Sequence, residues 1–154
     1  MTFELEQWVN GPIDAVYALL SDPSRLSVLH PLIEQVTVTH RDETRVEVDL
    51  FEHVPMGPFR IPNAYRATYF VHPEAPRRLR ARGESFPKVV IDAEYTLEQQ
   101  GERTRVSERT TVSALLGLKG FVARTAREAH RKQLANLSEY FDALPRTAAG
   151  VLPR

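Results

Sequence analysis

The chain has 154 residues, 42% of them hydrophobic and 26% charged, and its 20 basic and 20 acidic side chains cancel to a formal net charge of zero. That length suits one domain able to bury most of its apolar surface, and with neutrality nothing global calls for nucleic acid or an anionic membrane. There is no cysteine, so disulfides, thiolate nucleophiles and cysteine-bound metals are excluded together. No apolar run approaches the ~18 residues of a membrane span. Glu4 and Glu6 make the start unlike a signal peptide. A cytoplasmic protein is expected.

In chain order, residues 3–9 alternate Phe3, Leu5, Gln7 and Val9 against Glu4, Glu6 and Trp8, the pattern of a half-buried strand. A short helix with Val16, Leu19 and Leu20 on one stripe fills the space between Gly11-Pro12 and Asp22-Pro23; proline suits its first turn. Residues 23–31 allow a second short helix, closed by Pro31. Hairpins follow. A loop at 41–43 pairs Val38 with Val46 and Val36 with Val48, giving both strands one apolar face. Residues 54–62 hold Pro55, Gly57, Pro58 and Pro62 and read as turn. Residues 63–72 form the next strand, and 72–76 the next turn.

Strands at 77–84, 88–98 and 101–113 can be registered by charge. A loop at 84–88 sets Arg80 against Asp92, and a turn at 99–102 sets Asp92 against Arg109. One face then carries an opposite-sign ladder, Arg80–Asp92–Arg109. The other face carries Leu79, Ala81, Ile91, Ala93, Tyr95, Val106 and Val112, with Glu108 between Val106 and Thr110 and opposite Ala93. On strand 63–72 the turn leaves two alternate sets open, Tyr65 with Tyr69 or Arg66 with Phe70. The first is preferred inward, because it buries no arginine.

Residues 118–144 place Phe121, Val122, Ala126, His130, Leu134, Leu137, Phe141 and Leu144 at helical spacing on one stripe, and Pro145 stops the helix. One domain is expected over 1–145, followed by a loose tail at 146–154. A helix of that length spans ~40 Å, enough to cross an antiparallel sheet once and cover its apolar face. The expected fold is α+β: seven antiparallel strands curled around the long C-terminal helix, with two short helices after the first strand. Those short helices carry the chain from one sheet edge to the other.

The opening "VNGPIDAVYALLSDPSRLSVLHP" resembles that of the SRPBCC superfamily, the helix-grip proteins that include START domains, the birch-pollen allergen and the polyketide cyclase/dehydrase group. Val9, Gly11-Pro12, Val16-Tyr17, Leu20, Asp22-Pro23 and Pro31 carry the resemblance. "GERTRV" is similar to that superfamily's Gly-x-x-Thr-x-Val strand start. One departure is Leu29-His30, where many members carry a tryptophan before the proline; the cavity mouth is expected to differ there. The resemblance implies a cavity between sheet and helix that takes an apolar small molecule. Ala81, Ala93 and Ala126 are small where a solid core would want bulk, which supports one. Val38, Val48, Ile91, Tyr95, Leu134 and Leu137 are expected to line it. Tyr65, Tyr69, Thr110 and Phe141 join them as ligand-contact candidates, unless the two tyrosines and Phe141 fill the space.

Glu108 and His130 are the candidate catalytic pair. A carboxylate on an apolar face is costly unless it is paired or wet, and a single histidine on a helix stripe is a core residue by default. Geometry links the two. Ser113 back to Glu108 is ~17 Å of strand, and Leu118 forward to His130 is ~18 Å of helix, so both lie at one depth from the strand–helix corner. His30, His40, His53 and His72 fall at strand ends or turns. No HExxH or other metal-ligand spacing, phosphate loop or nucleophile elbow is present, so no metal or cofactor is expected. The leading functional expectation is a binding or carrier protein for a lipid-, polyketide- or aromatic-like molecule. The alternatives are a small cyclase or dehydratase using His130 and Glu108 as acid and base, and a regulatory or stress-associated partner protein. Monomer and homodimer both remain open.

Overall fold

The computed structural model describes residues 1–72 and 77–145; the turn expected at 72–76 lies largely outside them, and the expected tail at 146–154 entirely so. The elements in order are β1 (Thr2–Val9), α1 (Ile13–Leu20), a 3₁₀ turn (Pro23–Arg25), α2 (Leu26–Leu29), β2 (Ile33–Arg41), β3 (Arg45–Met56), β4 (Phe59–His72), β5 (Arg77–Ser85), β6 (Val89–Gln100), β7 (Arg103–Ser113) and α3 (Lys119–Ala143). The seven strands make one antiparallel sheet in the order β1-β7-β6-β5-β4-β3-β2. This is the expected α+β helix-grip architecture.

Each element follows from local chemistry. Asp22 stops α1 and starts the 3₁₀ turn, its carboxylate accepting from the Ser24 backbone N–H at 3.1 Å, as an N-cap does. The α1–α2 segment then delivers the chain to the far sheet edge. It also seats α3: Asn136 donates to the Leu29 carbonyl at 2.7 Å, and Arg25 donates to the Tyr140 hydroxyl at 2.8 Å. Below that contact the core is solid. Leu134, Leu137 and Phe141 of α3 belong to the same buried cluster as Val16, Leu29, Val48 and Leu79.

Every face assignment holds, but three registers differ by two residues from the expected ones. The first hairpin pairs Val38 with Val48 and Val36 with Leu50, with a bulge between Val38 and His40. Asp42 is the reason. Its Oδ1 accepts from the backbone N–H groups of Thr44 (2.9 Å) and Arg45 (2.8 Å), which moves the turn one residue later. Arg82, not Arg80, stands opposite Asp92, because the β5–β6 loop is only Phe86-Pro87-Lys88, with Lys88 at φ 55°. Arg109 stands opposite Glu94, not Asp92, because the β6–β7 turn is the pair Gly101-Glu102, with Gly101 at φ 62°. Arg80 still reaches Asp92 diagonally, at 2.9 and 2.6 Å, and Arg82 reaches it at 3.2 Å. Arg109 instead approaches Glu4 at 4.0 Å. Glu108 is correspondingly opposite Tyr95, and Ala93 opposite Thr110.

The segment 54–62 is not a long turn. β3 and β4 continue through Pro55 and Pro62 to a two-residue tip at Gly57-Pro58. β2 pairs with β3 only as far as Glu52, and β5 with β4 only as far as Arg66. Beyond those points the ribbon has a free edge on both sides, so a residue without an N–H costs no ladder bond.

Candidate active site

β7 presents Thr104, Val106, Glu108, Thr110 and Val112 inward, all buried. Period-two alternation puts the carboxylate of Glu108 on the apolar face by necessity, and the fold supplies a partner. Glu108, 2% exposed, has its Oε1 2.5 Å from His130 Nδ1 on α3, and Thr110 Oγ1 donates to the same oxygen at 2.5 Å. Oε2 is buried and makes no hydrogen bond among the described residues. An ionised carboxylate only accepts, so in the neutral imidazole the proton sits on Nδ1 and the lone pair on Nε2. Phe3 and His30 meet the His130 ring edge-on, at centroid distances of 5.9 and 6.0 Å.

His130 forms part of the wall of a cavity of about 310 Å³, at the low end for a small-molecule site. The cavity exists because two adjacent cross-strand rows are small. Ala81 pairs with Ala93, and Ala67 with Gly83. All four line it, faced by Ala126 and Ala129 of α3. It lies under the N-terminal half of the helix.

Of the expected ligand contacts, Tyr65, Tyr69, Ala81, Ile91, Ala93 and Tyr95 line the cavity. Thr110 does not line it; its hydroxyl is bonded to Glu108 instead. Val48, Leu134, Leu137 and Phe141 do not line it: they fill the solid core at the other end of the helix. Val38 does not line it either; it is 39% exposed on the edge strand. Glu108 itself takes no part in the lining.

Polar side chains not expected as ligand contacts are also in the wall, His30, Glu52, Asn63 and Gln133 among them. His30 Nδ1 accepts from the Leu32 backbone N–H at 3.3 Å, so its neutral ring carries the proton on Nε2. Burial, then the neighbouring His130, lowers its pKa to about 3, and it stays neutral at physiological pH. The departure at Leu29-His30 was its only sequence signal. Glu52 is buried opposite Asn63, whose amide donates to Oε1 at 3.0 Å. Burial raises the Glu52 pKa, against the Asn63 bond and His130, which lower it. Burial also raises the phenols of Tyr65, Tyr69 and Tyr95, reinforced by the negative charge of Glu52 at Tyr65 and of Glu108 at the other two. All three remain hydroxyls able to donate. No cluster of three or more metal-ligating side chains occurs among the described residues.

An imidazole backed by a carboxylate, a neutral imidazole donor and three phenols thus share the wall of a mainly apolar chamber with Glu52, Asn63 and Gln133. The family described as polyketide cyclase / dehydrase and lipid transport matches residues 1–142. The chain belongs to that family. Among solved structures it is similar to the Zhui aromatase/cyclase from Streptomyces sp. R1128, with a TM-score of 0.79, 18% identity, and 98% of this chain and 99% of that one covered. The protein TTHA0849 from Thermus thermophilus is similar at TM-score 0.76 and 21% identity, covering 93% and 98%. A START superfamily protein from Mycobacterium smegmatis is similar at TM-score 0.71 and 14% identity, covering 92% and 97%. At these identities the likeness shows the fold alone. No curated protein matches.

Proposed function

We propose that the protein binds a largely apolar, oxygen-bearing small molecule of polyketide-like or aromatic character and that His130 acts on it as a general base. One observation carries this reading: the buried Glu108 carboxylate lies 2.5 Å from His130 Nδ1, while the His130 ring lines the cavity. A container for an apolar molecule needs no buried carboxylate behind an imidazole. A base does, because the carboxylate orients the ring, selects the tautomer with Nε2 free, and stabilises the imidazolium formed on protonation. His30, with its proton on Nε2, is the matching donor.

The chemistry is enolisation. His130 Nε2 takes a proton from the carbon next to a ketone, and the ketone oxygen gathers the charge and accepts from His30 Nε2–H. The enolate carbon attacks a second carbonyl in the same molecule, forming a carbon–carbon bond, and the imidazolium returns its proton to the new alkoxide. Atoms and charge balance without a metal or oxidant. The aromatase/cyclase neighbour is consistent with this class of chemistry.

The test uses an aryl methyl ketone in D₂O, with α-proton exchange followed by NMR. The expected result is exchange accelerated by the native protein and lost in Glu108→Gln and His130→Gln, with binding of the ketone retained. Binding without acceleration would overturn the catalytic reading and leave the carrier reading, which the mainly apolar wall favours independently.

A further inference from the structure

Three chain segments at one end of the sheet carry an unusual share of exposed apolar side chains. They are the β3–β4 tip, the β5–β6 loop and the β7–α3 connection. They follow β3, β5 and β7, which alternate with β4 and β6 in the antiparallel order and so run in one direction, and the topology gathers them at one end. Phe59 is 69% exposed, Phe86 92%, and Leu116 fully, with Met56, Ile61, Leu115 and Leu118 beside them. These are seven of the ten exposed large hydrophobic residues among the described ones, which makes a patch rather than scatter. Met56, Ile61, Phe86 and Leu118 also line the cavity, so the patch is a collar around its mouth.

The three segments themselves carry charges of one sign. Residues 54–62, 86–89 and 114–120 contain Arg60, Lys88 and Lys119 and no acidic residue. Only three of the chain's basic residues are lysines, and two of them stand on this collar. Arg60 is partly engaged, donating to Glu34 at 3.3 Å. We infer that the collar seats the cavity mouth on an anionic membrane surface, with Phe59, Phe86 and Leu116 inserted among the acyl chains and Lys88 and Lys119 at the headgroups. Aromatic and leucine tips with a long basic stem beside each are the chemistry that lies in a bilayer interface. A second copy is a poorer occupant, since a two-fold contact would set these cations against one another with no acid in the loops to pair them. An acidic protein surface would meet the lysines and leave three large apolar tips without a counterpart. Seated this way, an apolar ligand passes between bilayer and cavity without crossing water.

The experiment is co-sedimentation of the full chain with ligand-free vesicles of phosphatidylcholine alone or with phosphatidylglycerol added. The native protein should bind the anionic vesicles, with each lysine worth about a fivefold gain in affinity. Phe59→Ser/Phe86→Ser/Leu116→Ser should lose binding to both compositions, while Lys88→Glu/Lys119→Glu should lose only the preference for phosphatidylglycerol. Ala81→Leu, which fills the cavity floor and leaves the collar intact, should bind vesicles as the native protein does. Native protein that sediments with neither composition would overturn the inference. So would a triple variant that binds as well as its parent, or one that merely converts a dimer to a monomer in sedimentation velocity.

Discussion

His130 Nδ1 and Glu108 Oε1, 2.5 Å apart, join the long helix to the last strand of the sheet. The two residues are 22 positions apart in sequence and arrive at the same depth because a strand and a helix leave the β7–α3 corner together. Removing one partner alone leaves a buried charge uncompensated, which is worse than removing both. Glu108→Leu with His130→Leu should therefore be more stable than His130→Leu alone. The single substitution should cost about 3 kcal/mol in urea unfolding, and the coupling from the double-mutant cycle should be well above zero.

His30 makes stability depend on acidity. Its pKa in the folded protein is about 3, against about 6.5 for a free imidazole. As pH falls below 6.5 the unfolded chain takes up a proton that the folded chain does not. Stability should therefore decline progressively between pH 6.5 and 3, by up to about 1.4 kcal/mol per pH unit from this group. His30→Gln should flatten that part of the profile of unfolding free energy against pH. An unchanged slope in the variant would show that His30 is solvated.

Glu52 has the opposite sign. Its pKa is raised by burial, so the folded state holds its proton more tightly than the unfolded chain. Stability from this group is present at low pH and lost as pH rises through the raised value. Glu52→Gln keeps the acceptor for Asn63 and removes the charge. It should stabilise the protein at pH 8, with the gain shrinking toward pH 4. Thermal unfolding of parent and variant at the two pH values checks this.

The cavity floor of Ala81, Ala93, Ala67 and Gly83 should govern occupancy. Ala81→Leu places a larger side chain in a space of about 310 Å³. Affinity for an apolar naphthalene fluorophore should fall at least ~10-fold, while unfolding free energy moves by no more than about 1–2 kcal/mol, because the added carbons fill void rather than displace packed atoms. Gly83→Ala is milder. Its Cβ would meet Cε2 of the Tyr65 ring at 3.4 Å, which a small ring shift relieves.

What the sequence determined by itself was polarity, element by element. Alternation along β7 put Glu108 on the inner face, helical spacing put His130 on the inner stripe, and the preference for burying Tyr65 and Tyr69 over Arg66 oriented β4. Such patterns assign faces and nothing finer. A slip of two residues leaves every face unchanged, so the registers of three hairpins were settled by turn chemistry at Asp42, Lys88 and Gly101. The position of the cavity was likewise decided in three dimensions. Small residues leave a void only where other small residues face them, as Ala81 and Ala93 face Ala126 and Ala129, whereas Leu134, Leu137 and Phe141 meet bulky partners and pack solid. Glu52 continues the inward alternation of Val46, Val48 and Leu50 along β3, whereas His30 sat outside any periodic pattern and became part of the wall only when the chain crossed to the far edge of the sheet. The collar of Phe59, Phe86 and Leu116 is non-local in the same way: three loops far apart in sequence share one end because antiparallel strands return there.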